Sequence, residues 1–207
     1  MAQLGAQPFL PVQTDSLTAL RAAAKSCRGC ELYREASQTV FGEGPSPAHI
    51  MMVGEQPGDA EDREGHPFVG PAGRLLDKAI TEAGLERDEI YLTNTVKHFK
   101  HTGSRESKRR IHAKPNQTEI SACLPWLEAE LKAVRPQLII VLGSTAAQAL
   151  LGKAFRVTQQ RGTLMPWRGI MALATVHPSS VLRSPGREQA YAGFVEDLKA
   201  AAGVRHA

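Results

Sequence analysis

Three features of the sequence predict an α/β fold built on a parallel sheet. Four short apolar runs of strand length occur at 49–53, 90–96, 137–142 and 170–176. Stretches with helical spacing separate them, and a polar or glycine-containing loop follows each run. Strands alternating with helices imply a parallel sheet covered on both faces, here a single-domain three-layer sandwich around a central four-stranded parallel sheet.

The elements follow in chain order. Residues 1–15 carry Pro8 and Pro11 without periodicity and read as a loose N-terminal arm, leaving 16–207 as the domain. Leu17 to Ala24 is helical, with Asp15 or Ser16 as its cap, and runs into a Cys27-x-x-Cys30 pair. The first strand (His-Ile-Met-Met-Val) ends at a Gly/Pro-rich loop. Leu75, Leu76, Ala79, Ile80 and Ala83 give 72–83 helical spacing, stopped by Gly84. A strand at 90–96 precedes a long helix at 120–134, with Leu124, Leu127, Leu131 and Val134 on one face. The clearest central strand, 137–142, passes into Gly143-Ser144-Thr145 and a helix through Leu151. The last strand leads to His177-Pro178-Ser179-Ser180, and 187–201 closes the chain as a helix.

In such folds ligands bind outside the carboxyl ends of the strands, at the loops after Gly54, Asn94, Gly143 and His177. A further polar segment, about 101–115, carries a dense cationic run ending at an imidazole: Lys108, Arg109, Arg110, Ile111, His112. Seven of the 25 Lys and Arg residues lie from Lys97 to Lys114 against one acid, Glu106, so that stretch holds 7 − 1 = +6 in a chain of net +4. A localised patch fits a polyanion, because each cation meeting a phosphate releases counterions; a solvated loop or a localisation-type run would look the same.

The totals exclude other classes. With 42% hydrophobic and 22% charged residues the chain is an ordinary globule. No apolar run approaches the roughly 20 residues that span a bilayer, and the first residues lack an export pattern, so a cytoplasmic protein is expected, nucleoid-associated when on DNA. Three cysteines argue against a disulfide framework. Gly152-Lys153 lacks the rest of a phosphate-binding loop, which speaks against nucleotide hydrolysis.

The ordered motifs Gly54-Glu55-Gln56-Pro57-Gly58-Asp59, Gly65-His66-Pro67-Phe68-Val69-Gly70-Pro71-Ala72-Gly73 and His177-Pro178-Ser179-Ser180-Val181-Leu182-Arg183 resemble the uracil-DNA glycosylase superfamily, specifically its family 4 iron–sulfur enzymes. Gln56 and the long loop through His112 point to the UdgX branch, whose members become covalently attached to uracil-containing DNA. The resemblance runs from about Cys27 to the C-terminal helix.

It implies uracil recognition in DNA, with single strands preferred because no unpairing is needed, by a protein acting as a monomer. Phe68 would cover the face of the everted base, or else plug the core beneath its loop. The Asn94 amide, one donor and one acceptor, complements uracil O4 and N3–H, or else caps the strand. Gln56 and Asp59 join the substrate-binding set, and Glu61 stands where the family excludes the thymine methyl. His177 would donate to O2 of the leaving uracil, Ser179 would bind phosphate, and Arg183 would reach backbone or groove. His112 would attack C1′ while Glu55 takes the proton from its other nitrogen, giving a His–deoxyribose adduct and a single turnover. The alternatives are water activated by Glu55, as in a conventional glycosylase, and a non-catalytic binder. Lys108 and Arg109 would meet phosphate or position the loop, and Arg110 would pin the loop so that His112 points inward.

The family's [4Fe–4S] cluster has four cysteine ligands. Cys27, Cys30 and Cys123 match three of them, and His98, in Val96-Lys97-His98, takes the place of the fourth, a substitution imidazole makes elsewhere on cluster iron. Zinc is the competing metal, since Cys3His also suits it. A redox pair at Cys27 and Cys30 would leave Cys123 unexplained.

Overall fold

The computed structural model describes residues 5–12, 14–103 and 110–206. In chain order the elements are α1 (Leu17–Ala24), β1 (Ile50–Gly54), α2 (Asp59–Glu64), α3 (Pro71–Glu82), β2 (Ile90–Asn94), β3 (His101–Thr102), β4 (Ile111–His112) and α4 (Gln117–Val134). They continue with β5 (Leu138–Leu142), α5 (Ser144–Leu150), α6 (Val157–Gln160), β6 (Leu164–Trp167), β7 (Ile170–Thr175), α7 (Pro178–Leu182) and α8 (Arg187–Ala202).

The sheet order is β2-β1-β5-β7-β6. Its first four strands are parallel, matching the four apolar runs to within two residues at each end. The fifth corrects the expected count: β6 pairs antiparallel with β7 through the two-residue turn at Arg168 and Gly169, both at positive φ. Such turns match the twist of a hairpin. Pro166 sits in this strand because an edge strand can spare a donor, and the same proline hides the strand from periodicity.

Alternation along each strand divides the core. Ile50, Met52, Ile90, Leu92, Leu138, Ile140 and Leu142 face α3, α7 and α8, whereas Met51, Val53, Tyr91, Ile139 and Val141 face α4, α5 and α6. A third cluster joins α1 to α4 and contains Cys27, Cys30, Cys123, Val96 and Trp126. Within the N-terminal arm, Gly5 and Ala6 donate to the carbonyls of Gly29 and Ala122, fastening that stretch over the cysteine cluster. Ser16 caps α1 by accepting from Ala19 N.

The segment at 101–115 is a ribbon at its base: β3 and β4 pair antiparallel, placing His101 opposite His112. Lys108 and Arg109, with 104–107, lie outside the described residues. The cationic patch is smaller than the sequence suggests. Lys97 is buried 2.5 Å from Glu130, Lys100 is 2.9 Å from Glu119, and the Arg110 side chain is buried against two carboxylates. A charge removed from water needs a partner, so these three cations serve the fold.

Candidate active site

A cavity of about 740 Å³ opens at the carboxyl ends of β1, β2, β5 and β7, where the strand order predicts a site. Glu55, Gln56, Glu61, Phe68, Asn94, Ile111, His112, His177, Ser179 and Arg183 line it. Sequence motifs separated by more than a hundred residues therefore converge on one space.

The floor is formed by close backbone approach. A side chain at Gly54 would collide with the Asn94 amide oxygen and lie 2.8 Å from the Phe68 ring. Gly73 performs the same service on α3, where a Cβ would run into the Phe68 carbonyl. Phe68 itself takes φ = 58°, a left-handed conformation that costs a non-glycine residue about 1–2 kcal/mol. Its ring packs in the core cluster, lines the cavity, and stacks near the His177 ring, with centroids 6.4 Å apart and planes at 27°.

Asn94 is held from behind. Its carbonyl accepts from Lys97 Nζ at 2.7 Å, and Lys97 is fixed in turn by Thr93 and Glu130. Glu130 also accepts from Gly42 N and from the hydroxyls of Tyr91 and Thr93. This buried network was invisible in the sequence because its members are scattered and individually unremarked.

His177 ends β7 and caps α7. Its Nδ1 accepts from Ser179 N at 3.2 Å and lies 2.9 Å from Ser179 Oγ, which places the ring proton on Nε2. Burial, reinforced by the positive charges of His112 and Arg183, pushes its pKa down to about 4. The ring is therefore a neutral donor at physiological pH. Ser180 and Arg183 are exposed on the same rim.

Opposite them stands the ribbon. His112 Nε2 lies 3.4 Å from Glu55 Oε1, with the histidine side chain 50% exposed and the glutamate 19% exposed. Three anchors hold this pair. Gln56 Nε2 donates to the carbonyls of Lys100 and Ala113 while its Oε1 accepts from Lys100 N, strapping the two strands together at their base. Arg110 donates from Nε to Asp59 at 2.5 Å and from Nη1 to Asp62 at 2.6 Å and Ser37 at 3.1 Å. Phe99, buried, lies 6.1 Å from the His112 ring and 5.4 Å below the Arg110 guanidinium. Burial would raise the Asp59 pKa, but hydrogen bonds from Arg63 and Arg110 overcome it and hold the carboxyl below its ordinary range.

Asp59 thus faces Arg110 and Arg63, and Glu61 accepts from Gly58 N and Gly70 N while lining the cavity wall. Sequence reasoning missed Asp62. The available signal was Asp59-x-x-Asp62, two carboxylates one helical turn apart, suited to a forked guanidinium.

Away from the cavity, Cys27, Cys30 and Cys123 are buried together as free thiols. Burial pushes Cys30 up to about 11 and Cys123 up to about 12, and the neighbouring thiols add to both shifts. Trp126 Nε1 donates to Cys27 Sγ at 3.2 Å and Lys97 N to Cys123 Sγ at 3.3 Å. His98 is buried and neutral, its pKa pushed down to about 4 by burial. Thr39 donates its hydroxyl proton to Ala24 O, so it accepts from His98 Nε2 at 3.0 Å and leaves the lone pair on Nδ1. Among the described residues, no three such side chains converge as a single-ion cage.

The uracil DNA glycosylase superfamily model matches residues 41–199. The chain belongs to the uracil-DNA glycosylase superfamily. It is 37% identical over 180 residues to a type-4 uracil-DNA glycosylase of Sulfurisphaera tokodaii, covering 83% of this chain and 78% of that protein. A type-4 uracil-DNA glycosylase of Thermotoga maritima is 36% identical over 166 residues, covering 79% and 82%. Within this superfamily fold the cavity takes its walls from both ends of the matched region. No helix among the described residues is long and apolar enough to cross a membrane.

Proposed function

We propose that the protein recognises uracil in DNA, cleaves the N-glycosidic bond and retains the sugar on His112. The placement of His112 beside Glu55 at the mouth of a base-sized cavity carries this reading. Phe68 covers the everted base and Asn94 pairs with its O4 and N3–H edge. As the N1–C1′ bond breaks, its electron pair leaves with uracil and His177 Nε2–H donates to O2. The developing negative charge meets a donor already in position, a contribution worth about 10²–10³ in rate. Glu55 takes the proton at His112 Nε2, the Nδ1 lone pair forms the bond to C1′, and the enzyme turns over once. The Lys108 and Arg109 run, with Arg183 and the Ser179 and Ser180 turn, meets flanking phosphates.

The relatives named type-4 uracil-DNA glycosylases support the base-removal step. The partly exposed Glu55 carboxylate also favours a second reading, hydrolysis by water held there, with multiple turnover. Single strands are the preferred substrate because the unpairing cost is absent. All the cavity's walls come from one chain, in keeping with a monomer.

For the metal, Cys27, Cys30, Cys123 and His98 form the donor set, and buried thiols with raised pKa values need a cation to become thiolates. Zinc requires four donors about 2.0–2.3 Å from one point, a tighter cage than these residues make, which favours the larger [4Fe–4S] cluster. Bound there, it would tie the segment after α1 to α4 and to the strand bearing Asn94.

The experiment is denaturing electrophoresis after incubation with a uracil-containing oligonucleotide. A retained protein–DNA band supports the adduct, free abasic DNA supports hydrolysis, and intact DNA contradicts both.

A further inference from the structure

Ile111 and Val12 are the large hydrophobic side chains exposed among the described residues, and Ile111 is 54% exposed at the rim of the cavity. An aliphatic group in water is ordinary on a mobile loop, but Ile111 is held in place. Arg110 before it is buried on Asp59 and Asp62, His112 after it stands at Glu55, and Thr102 pairs with it across the ribbon. The fold thus spends two ion pairs and a strand pairing on fixing the backbone that presents this side chain beside the nucleotide-binding space.

We infer that Ile111 is a wedge that enters the base stack when a nucleotide turns into the cavity, filling the gap that the nucleotide leaves. Removing a base from a duplex forfeits stacking on both sides, and an inserted aliphatic side chain restores contact there. The opposite rim offers no equivalent: Leu182 on α7 is packed against the core, while Ser180 and Arg183 are polar and suited to phosphate. One rim grips the backbone and the other fills the stack. The inference rests on the glycosylase reading above and extends it to duplex substrates, where the wedge matters most.

The test compares uracil release under enzyme excess from one sequence, as a single strand and as a duplex, with 2-aminopurine beside the uracil reporting unstacking. Ile111→Ala lowers the ratio of duplex to single-strand rate at least tenfold and weakens the fluorescence rise on the duplex, and Ile111→Leu restores both. An unchanged ratio in Ile111→Ala, or wild-type protein active on the single strand alone, overturns the wedge while leaving the glycosylase reading intact. Wild-type protein that releases uracil from neither substrate overturns both.

Discussion

The two sides of the cavity are built in opposite ways. On the base side, Phe68, Asn94 and His177 grow out of the sheet, fixed by close glycine contacts, by Lys97 and by the Ser179 turn. On the sugar side, His112 sits on a two-stranded ribbon outside the sheet, held by the Gln56 strap and the Arg110 ion pairs. Recognition is therefore part of the fold, and the proposed nucleophile is an attachment that the fold holds in place. The two functions should separate under mutation.

The largest separation is expected at His112. His112→Ala removes the retained band altogether, while uracil release by water at Glu55 persists, as base-release assays would show. His177→Ala does the reverse, slowing uracil release about 10²–10³-fold and the adduct in step with it. Next comes Arg110→Ala, which strands the Asp59 and Asp62 carboxylates and frees the ribbon. Loss of one partner from a buried pair costs about 3–5 kcal/mol, so adduct formation should fall further than uracil release, and thermal unfolding should report the destabilisation. Lysine at that position cannot reproduce the forked contacts and will not rescue it. Gln56→Ala gives the same separation at smaller size, about tenfold, because neutral hydrogen bonds hold the strap.

The His177 pKa sharpens the base side. Its folded-state value of about 4 lies below the ordinary 6.5, so the unfolded chain takes up protons between those values that the folded chain refuses. Its contribution to stability is full above pH 6.5 and declines as pH falls toward 4. Excision that depends on its neutral N–H should not decline through this group between pH 8 and 5. A melting series against His177→Gln checks the first statement and a pH–rate profile the second.

The same division governs what was legible in the sequence. The parallel strands and their loops were readable because apolar runs and period mark them, and Glu55, Phe68, Asn94 and His177 follow at their ends. The edge strand with Pro166 and Trp167 was not, since it lacks alternation. Nor was the neutralisation of Lys97 and Arg110: charge counting treats every cation as solvated, whereas Glu130, Asp59 and Asp62 come close only after folding. The ribbon was legible as a polar insertion, but its pairing depends on Gln56, over forty residues away in sequence.

The central claim concerns one bond, and mass spectrometry of the purified protein–oligonucleotide complex after nuclease and protease digestion tests it most directly. A deoxyribose-bearing peptide with the modification on the ring of His112 is the predicted result. A peptide modified elsewhere, or an unmodified protein beside stoichiometric free abasic DNA, would contradict it.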